Sequence, residues 1–92
     1  VEDFLGWQVW VQGRVQGVGY RAFCLREAQA LGLAGWVRNE EDGSVKLAIS
    51  GAEESFHCLL ERLRRGPRFA EPRSCTFECV AEEWHGEFRI LG

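Results

Sequence analysis

A chain of 92 residues has material for one hydrophobic core and excludes two. With 46% hydrophobic and 27% charged residues it falls among globular rather than disordered sequences. A formal net charge of -3 argues against a nucleic-acid binder, which needs a basic surplus to neutralise phosphates, and leaves room only for a small anion held at a defined point.

The first residues, Val1 to Gly6, lack the basic-then-apolar pattern of a secretory signal and read as a short extension ahead of a single domain covering 1–92. The sequence does not begin with Met, so its true start is expected to be lost or replaced. No apolar run approaches the roughly 20 residues that span a bilayer. The cytoplasm is the expected compartment.

Trp7 to Gln12 alternates strand formers, with Trp7, Val9 and Val11 on one face. A glycine-marked loop, Gly13 to Gly19, follows. From Tyr20 to Leu31 the period becomes helical, with Cys24, Ala28 and Leu31 at i, i+4 and i+7, and Gly32 stops the helix. Ala34 to Asn39 is a second strand. Glu40-Glu41-Asp42-Gly43 is a polar hairpin turn, and Val45, Leu47 and Ile49 alternate as a third strand. Ser50-Gly51-Ala52-Glu53 matches a capping box, so Ser50 is expected to cap the next helix. Phe56, Leu59, Leu60 and Leu63 give that helix its apolar stripe, and Arg62, Arg64 and Arg65 suit its C-terminal dipole. After Gly66-Pro67, Cys75, Phe77 and Cys79 alternate as a fourth strand. His85-Gly86 is a turn, and Phe88 and Ile90 form a short closing strand.

This order predicts an α+β fold, the ferredoxin-like βαββαβ sandwich: an antiparallel sheet, two helices on one face and a short extra C-terminal strand. Right-handed crossovers make the first two strands parallel, with the third antiparallel between them.

Cys24, Cys58, Cys75 and Cys79 form no Cys-x-x-Cys motif. Four residues of strand separate Cys75 from Cys79 by roughly 13 Å, too far for one disulfide or one zinc ion. Scattered free thiols fit a reducing compartment.

The segment Gly13 to Arg21, G-R-V-Q-G-V-G-Y-R, joins a strand to a helix. Glycines let backbone amides converge, and the helix start adds unpaired N–H groups with a partial positive charge. Together they can form an anion nest. A cation at a helix N-terminus, here Arg21, opposes the dipole unless an anion lies between the two. The alternative is an ordinary glycine turn followed by a surface arginine. No Lys-Ser/Thr pair follows the loop, so a bare phosphoryl group suits it better than a nucleotide with magnesium.

Asn39 ends the second strand, whose C-terminal end shares a sheet edge with the loop. Two strand spacings, about 10 Å, would separate them, enough for a phosphoryl group and a water. An Asn amide cannot act as a base but can hold a water by donating and accepting hydrogen bonds. Equally, Asn39 can simply open the following turn.

At these residues the chain resembles the acylphosphatase family. The likeness rests on Gly13 to Arg21, on Leu31 to Asn39 (L-G-L-A-G-W-V-R-N), on the spacing between them, and on Asp42-Gly43-Ser44-Val45. It covers nearly the whole chain in length and element order. The resemblance implies hydrolysis of acyl phosphates, the mixed anhydrides of a carboxylic acid and phosphate. It implies that Arg21 binds the phosphate and Asn39 orients the attacking water. The loop residues Val15, Gln16, Gly17, Val18, Gly19 and Tyr20 would supply backbone amides. Tyr20 stands where the family often has Phe. Gly19 fills a variable position, and glycine there also occurs in acylphosphatase-like domains of larger proteins.

The expected partners are a small-molecule acyl phosphate and inorganic phosphate as product and inhibitor. No metal, organic cofactor, nucleic acid or membrane is expected, and the chain is expected to act as a monomer. The leaving carboxylic acid has a pKa near roughly 4, so no general acid is needed. His57 and His85 read as surface residues. Two alternatives stand beside this reading. One is an acylphosphatase-like domain of a larger carbamoyl-transfer protein. The other is a ferredoxin-like RNA-binding module with Trp10 on the open sheet face near Arg38 and Lys46.

Overall fold

The computed structural model describes residues 5–92. Residues 1–4, most of the expected extension, lie outside the described part, and Gly6 already belongs to the first strand. The chain runs β1 (Gly6–Arg14), α1 (Tyr20–Ala30), β2 (Ala34–Asn39), β3 (Val45–Ser50), α2 (Glu53–Arg65), β4 (Glu71–Val80) and β5 (Arg89–Ile90).

The sheet order is β4-β1-β3-β2-β5. β3 pairs antiparallel with both β1 and β2, so those two run parallel with β3 between them, the arrangement the crossovers predict. β5 departs from the expected antiparallel sheet, because it pairs with β2 in parallel, Val37 opposite Ile90. The chain returns along the whole sheet before reaching that edge, so no hairpin constrains its direction.

The period-2 alternation places Val9, Val11, Val37, Val45, Leu47 and Ile49 under the helices, all fully buried. α2 meets them with Phe56, Leu59, Leu60 and Leu63, the stripe read from the sequence. Trp7 stacks on Phe56 with ring centroids 4.1 Å apart, and Phe77 meets Phe56 edge-on. On the open face the Lys46 ammonium lies 5.3 Å from the Trp10 ring. Arg38 sits over Trp36 rather than Trp10, at 4.8 Å.

Three local expectations change. Ser50 does not cap α2: Ala52 is the N-cap, and no side chain bonds the helix start. Pairing with Ala34 holds Ser50 in β3, where its hydroxyl donates to the Leu5 carbonyl at 3.1 Å and accepts from the Trp84 amide at 2.9 Å. β4 starts at Glu71, four residues before Cys75. A register shift at Gln12/Gly13 lets β1 continue pairing as far as Arg14 with Glu71, and the edge position tolerates Pro72. Phe88 precedes β5 and is buried in the core.

All four cysteines are free, Cys24 buried, Cys75 half-buried, Cys58 and Cys79 exposed. Among the described residues no helix is long and apolar enough to cross a membrane.

Candidate active site

β1 and β2 end at one edge of the sheet, and the chain leaves β1 there through residues 15–19 into α1. Val15 anchors this loop in the core, 1% exposed, and Val18 packs against the same core. Gly17 and Gly19 both take left-handed backbone, φ 76° and 78°. A side chain at either would meet nothing within 4 Å, so glycine is required there by conformation and not by space.

Gly19 is the N-cap of α1, with no side chain capping the helix and no acid in its first turn. The first helical bond runs from the Phe23 amide to the Gly19 carbonyl. Among the described residues, the amides of Gly17 to Ala22 donate to no backbone carbonyl. They leave a concentrated set of unpaired donors at the positive end of the helix.

Tyr20 fixes where this helix end points. Its ring is buried and its hydroxyl donates to the Leu63 carbonyl at 2.7 Å. That carbonyl belongs to the last turn of α2, where helix geometry supplies no partner. Burial above all, with the neighbouring Cys24 and Cys75 sulfurs adding to it, pushes the Tyr20 phenol far above its ordinary value of 10.0. Tyr20 therefore stays a neutral donor.

A cleft of about 230 Å³ opens between the loop and the end of β2. Gly17, Gly19, Tyr20, Arg21 and Ala22 form one side, Asn39 and Ile90 the other, with Val15 at the base. Arg21 and Asn39, separated by 18 positions in sequence, thus border one space. Among the described residues Arg21 makes no ion pair, whereas Arg38 binds Glu40 and Arg62 binds Glu27, each at 2.7 Å. Of the seven residues expected around a phosphate, Val15, Gly17, Gly19, Tyr20 and Arg21 line the cleft, and Gln16 and Val18 do not.

The Gln16 side chain points elsewhere. Its Nε2 donates to the Glu40 carbonyl at 2.8 Å and to the Ser44 carbonyl at 2.9 Å. These bonds span 24 and 28 residues, so no local sequence signal announces them. Ala22 and Ile90 also escaped the sequence reading. Ile90 reaches the cleft through the parallel pairing of β5 with β2.

His57 and His85 are exposed, each near a single glutamate, Glu53 and Glu83. Among the described residues no group of three or more His, Cys, Asp or Glu side chains is placed to hold a metal ion.

The acylphosphatase family model matches residues 7–90. The chain belongs to the acylphosphatase family. It is 49% identical over 86 residues to an acylphosphatase of Mesorhizobium japonicum, covering 91% of this chain and 90% of that one. The crystal structure of acylphosphatase from Bacillus subtilis superposes with a TM-score of 0.91 at 35% identity, covering 96% of this chain and 99% of that one. The family fold also occurs inside a larger chain: T. kodakarensis HypF matches with a TM-score of 0.80 at 30% identity, over 94% of this chain but 11% of that one.

Proposed function

We propose that this acylphosphatase-family hydrolase, acting on acyl phosphates, works by direct attack of an Asn39-held water on a phosphoryl group gripped by Arg21 and the loop amides. The observation that carries this reading is the shared cleft, with Arg21 and the unpaired donors on one side and Asn39 on the other.

The guanidinium is a planar fork that suits phosphoryl oxygens, and the amides of Gly17 to Tyr20 offer further fixed donors. An anion seated there relieves the conflict between Arg21 and the α1 dipole. The Asn39 carboxamide oxygen accepts a hydrogen bond from the water and aims the water's lone pair at phosphorus. The new P–O bond forms as the bond from phosphorus to the acyl oxygen breaks, and the electron pair leaves with the carboxylate. The water's proton passes to a phosphate oxygen. Positioning and electrostatic stabilisation supply the rate, so the mechanism assigns no step to a metal or organic cofactor. Inorganic phosphate, the product, fits the same donors and competes with substrate. One chain provides both sides of the cleft, which supports a monomeric enzyme, and four free thiols suit the reducing cytoplasm.

The test is hydrolysis of benzoyl phosphate in the presence of a chelator, comparing the protein with Asn39→Ala. The expected outcome is chelator-resistant turnover, a kcat about 100-fold lower in the variant and an unchanged inhibition constant for inorganic phosphate. A variant that keeps kcat but loses phosphate inhibition would make Asn39 a binding group and remove the water from its charge.

A further inference from the structure

We propose that Gln16 is a positioning residue for the attacking water: its side chain sets the spacing between the phosphate loop and Asn39. This inference rests on the reading of Asn39 given above.

The carboxamide of Gln16 has two N–H donors, and both are used, on the Glu40 and Ser44 carbonyls. Both partners are acceptors, so the orientation of the amide is forced. Each of these carbonyls also takes a bond inside the β2–β3 hairpin. The Glu40 carbonyl accepts from the Gly43 amide at 3.2 Å, and the Ser44 carbonyl accepts from the Glu40 amide at 2.8 Å. The turn is stiffened further by Asp42, whose Oδ1 accepts from the Ser44 amide at 2.9 Å and from the Ser44 hydroxyl at 2.6 Å. Gln16 therefore grips a rigid object at the closing pair of the hairpin, directly after Asn39.

At the other end, Gln16 lies between Val15, which is locked in the core, and Gly17, the first left-handed residue of the loop. A shift of the loop relative to β2 would break two bonds at once. β1 and β2 are not neighbours in the sheet, because β3 separates them, so the sheet ladder does not bond the loop to the end of β2 directly. The Gln16 bridge makes that connection over the top of β3. In-line attack requires the water and the phosphoryl group to be registered within a fraction of an ångström, and this bridge spans the two elements that hold them.

The experiment is a double-mutant cycle on kcat with benzoyl phosphate, using Gln16→Met and Asn39→Ala, with folding followed by circular dichroism. Met keeps the length of the side chain and removes both donors. Gln16→Met is expected to lower kcat about 10- to 100-fold in the otherwise unchanged protein while shifting the phosphate inhibition constant less than about threefold. With Asn39 already replaced by Ala, the same change should cost less than about threefold, because there is no positioned water left to lose. Effects that multiply in full place Gln16 outside the water's positioning and overturn the proposal, although Asn39 keeps its role. An Asn39→Ala variant with normal kcat overturns both.

Gln16→Glu carries the test if the Met variant does not fold. The ionised carboxylate has no proton to donate to two carbonyl oxygens; once protonated it regains one donor. Its kcat, divided by that of the unchanged protein at the same pH, should recover partly as pH falls through the ordinary carboxylate range. The carboxyls of the turn that Gln16 bonds, Glu40, Glu41 and Asp42, are present in both proteins and cancel from the ratio. A deficit independent of pH overturns the proposal.

Discussion

The two helices handle their dipoles in opposite ways. α2 opens with Glu53 and Glu54 and closes with Arg62, Arg64 and Arg65, so each end carries the charge that its dipole favours. α1 opens with no acid and no side-chain cap, puts Arg21 in its first turn, and has no base in its last turn. α2 also packs four large apolar residues beneath it, whereas α1 buries only Tyr20, Cys24 and Ala28. α2 settles its electrostatics within the chain. α1 leaves them unsettled at the mouth of a cleft, and the proposed grip on a phosphoryl group rests on that imbalance.

The strongest way to break this comparison is at Arg21. Lys keeps the charge but offers a point in place of a fork. Arg21→Lys is expected to lower kcat/KM for benzoyl phosphate by about 100- to 1000-fold, the usual cost of losing a positioned donor to a developing oxyanion. Near-normal activity in that variant would mean that positive charge alone suffices at α1, and the planar grip would be dispensable.

Most of the fold could be read from the sequence because its elements follow strong local periods. Val45, Leu47 and Ile49 announce β3, and Phe56, Leu59, Leu60 and Leu63 announce α2, with no outside help. The loop was readable for the same reason, since Gly17 and Gly19 mark backbone that other residues resist. What escaped depends on contacts distant in sequence. Ser50 matches a capping box locally, yet the ladder to Ala34 claims it. Gln16 reads as one more loop residue until the hairpin folds beside it. The direction of β5, and with it the arrival of Ile90 at the cleft, is set by packing along the far edge of the sheet.

A second test sits where the two helices meet. Tyr20→Phe removes the donor to the Leu63 carbonyl and leaves that buried acceptor without its partner. The expected cost is about 1–3 kcal/mol, read from urea unfolding, with a smaller loss of activity because Arg21 follows directly in the helix. The pH dependence has a definite sign. The Tyr20 phenol is raised above its ordinary 10.0 chiefly by burial, and the Cys24 thiol is raised above its ordinary 9.0 for the same first reason. For groups raised in the folded state, the stabilisation is complete below the unfolded values and is lost as pH climbs beyond them. Stability should therefore hold level near neutral pH and fall from about pH 9 upward. Tyr20→Phe should flatten the part of that fall that begins near pH 10. An unchanged alkaline profile would assign the fall to the thiols of Cys24 and Cys75, both of which burial raises.

The smallest effect separates the helices most sharply, because its sign differs between them. Arg65→Gln in the last turn of α2 removes a cation from the end that favours one, and should lower stability by about 0.3–1 kcal/mol with activity intact. Arg21→Gln in the first turn of α1 removes a cation from the end that resists one. Without phosphate it should raise stability by a similar amount, although it abolishes turnover. Adding inorganic phosphate should stabilise the unchanged protein by mass action and leave Arg21→Gln nearly unaffected, so the order of the two melting temperatures reverses as phosphate rises. Such a crossing would show that Arg21 is held against the local dipole for the sake of the anion. If Arg21→Gln instead melted below the unchanged protein in phosphate-free buffer, the arginine would be contributing to the fold itself, and the contrast between the helices would lose its electrostatic basis.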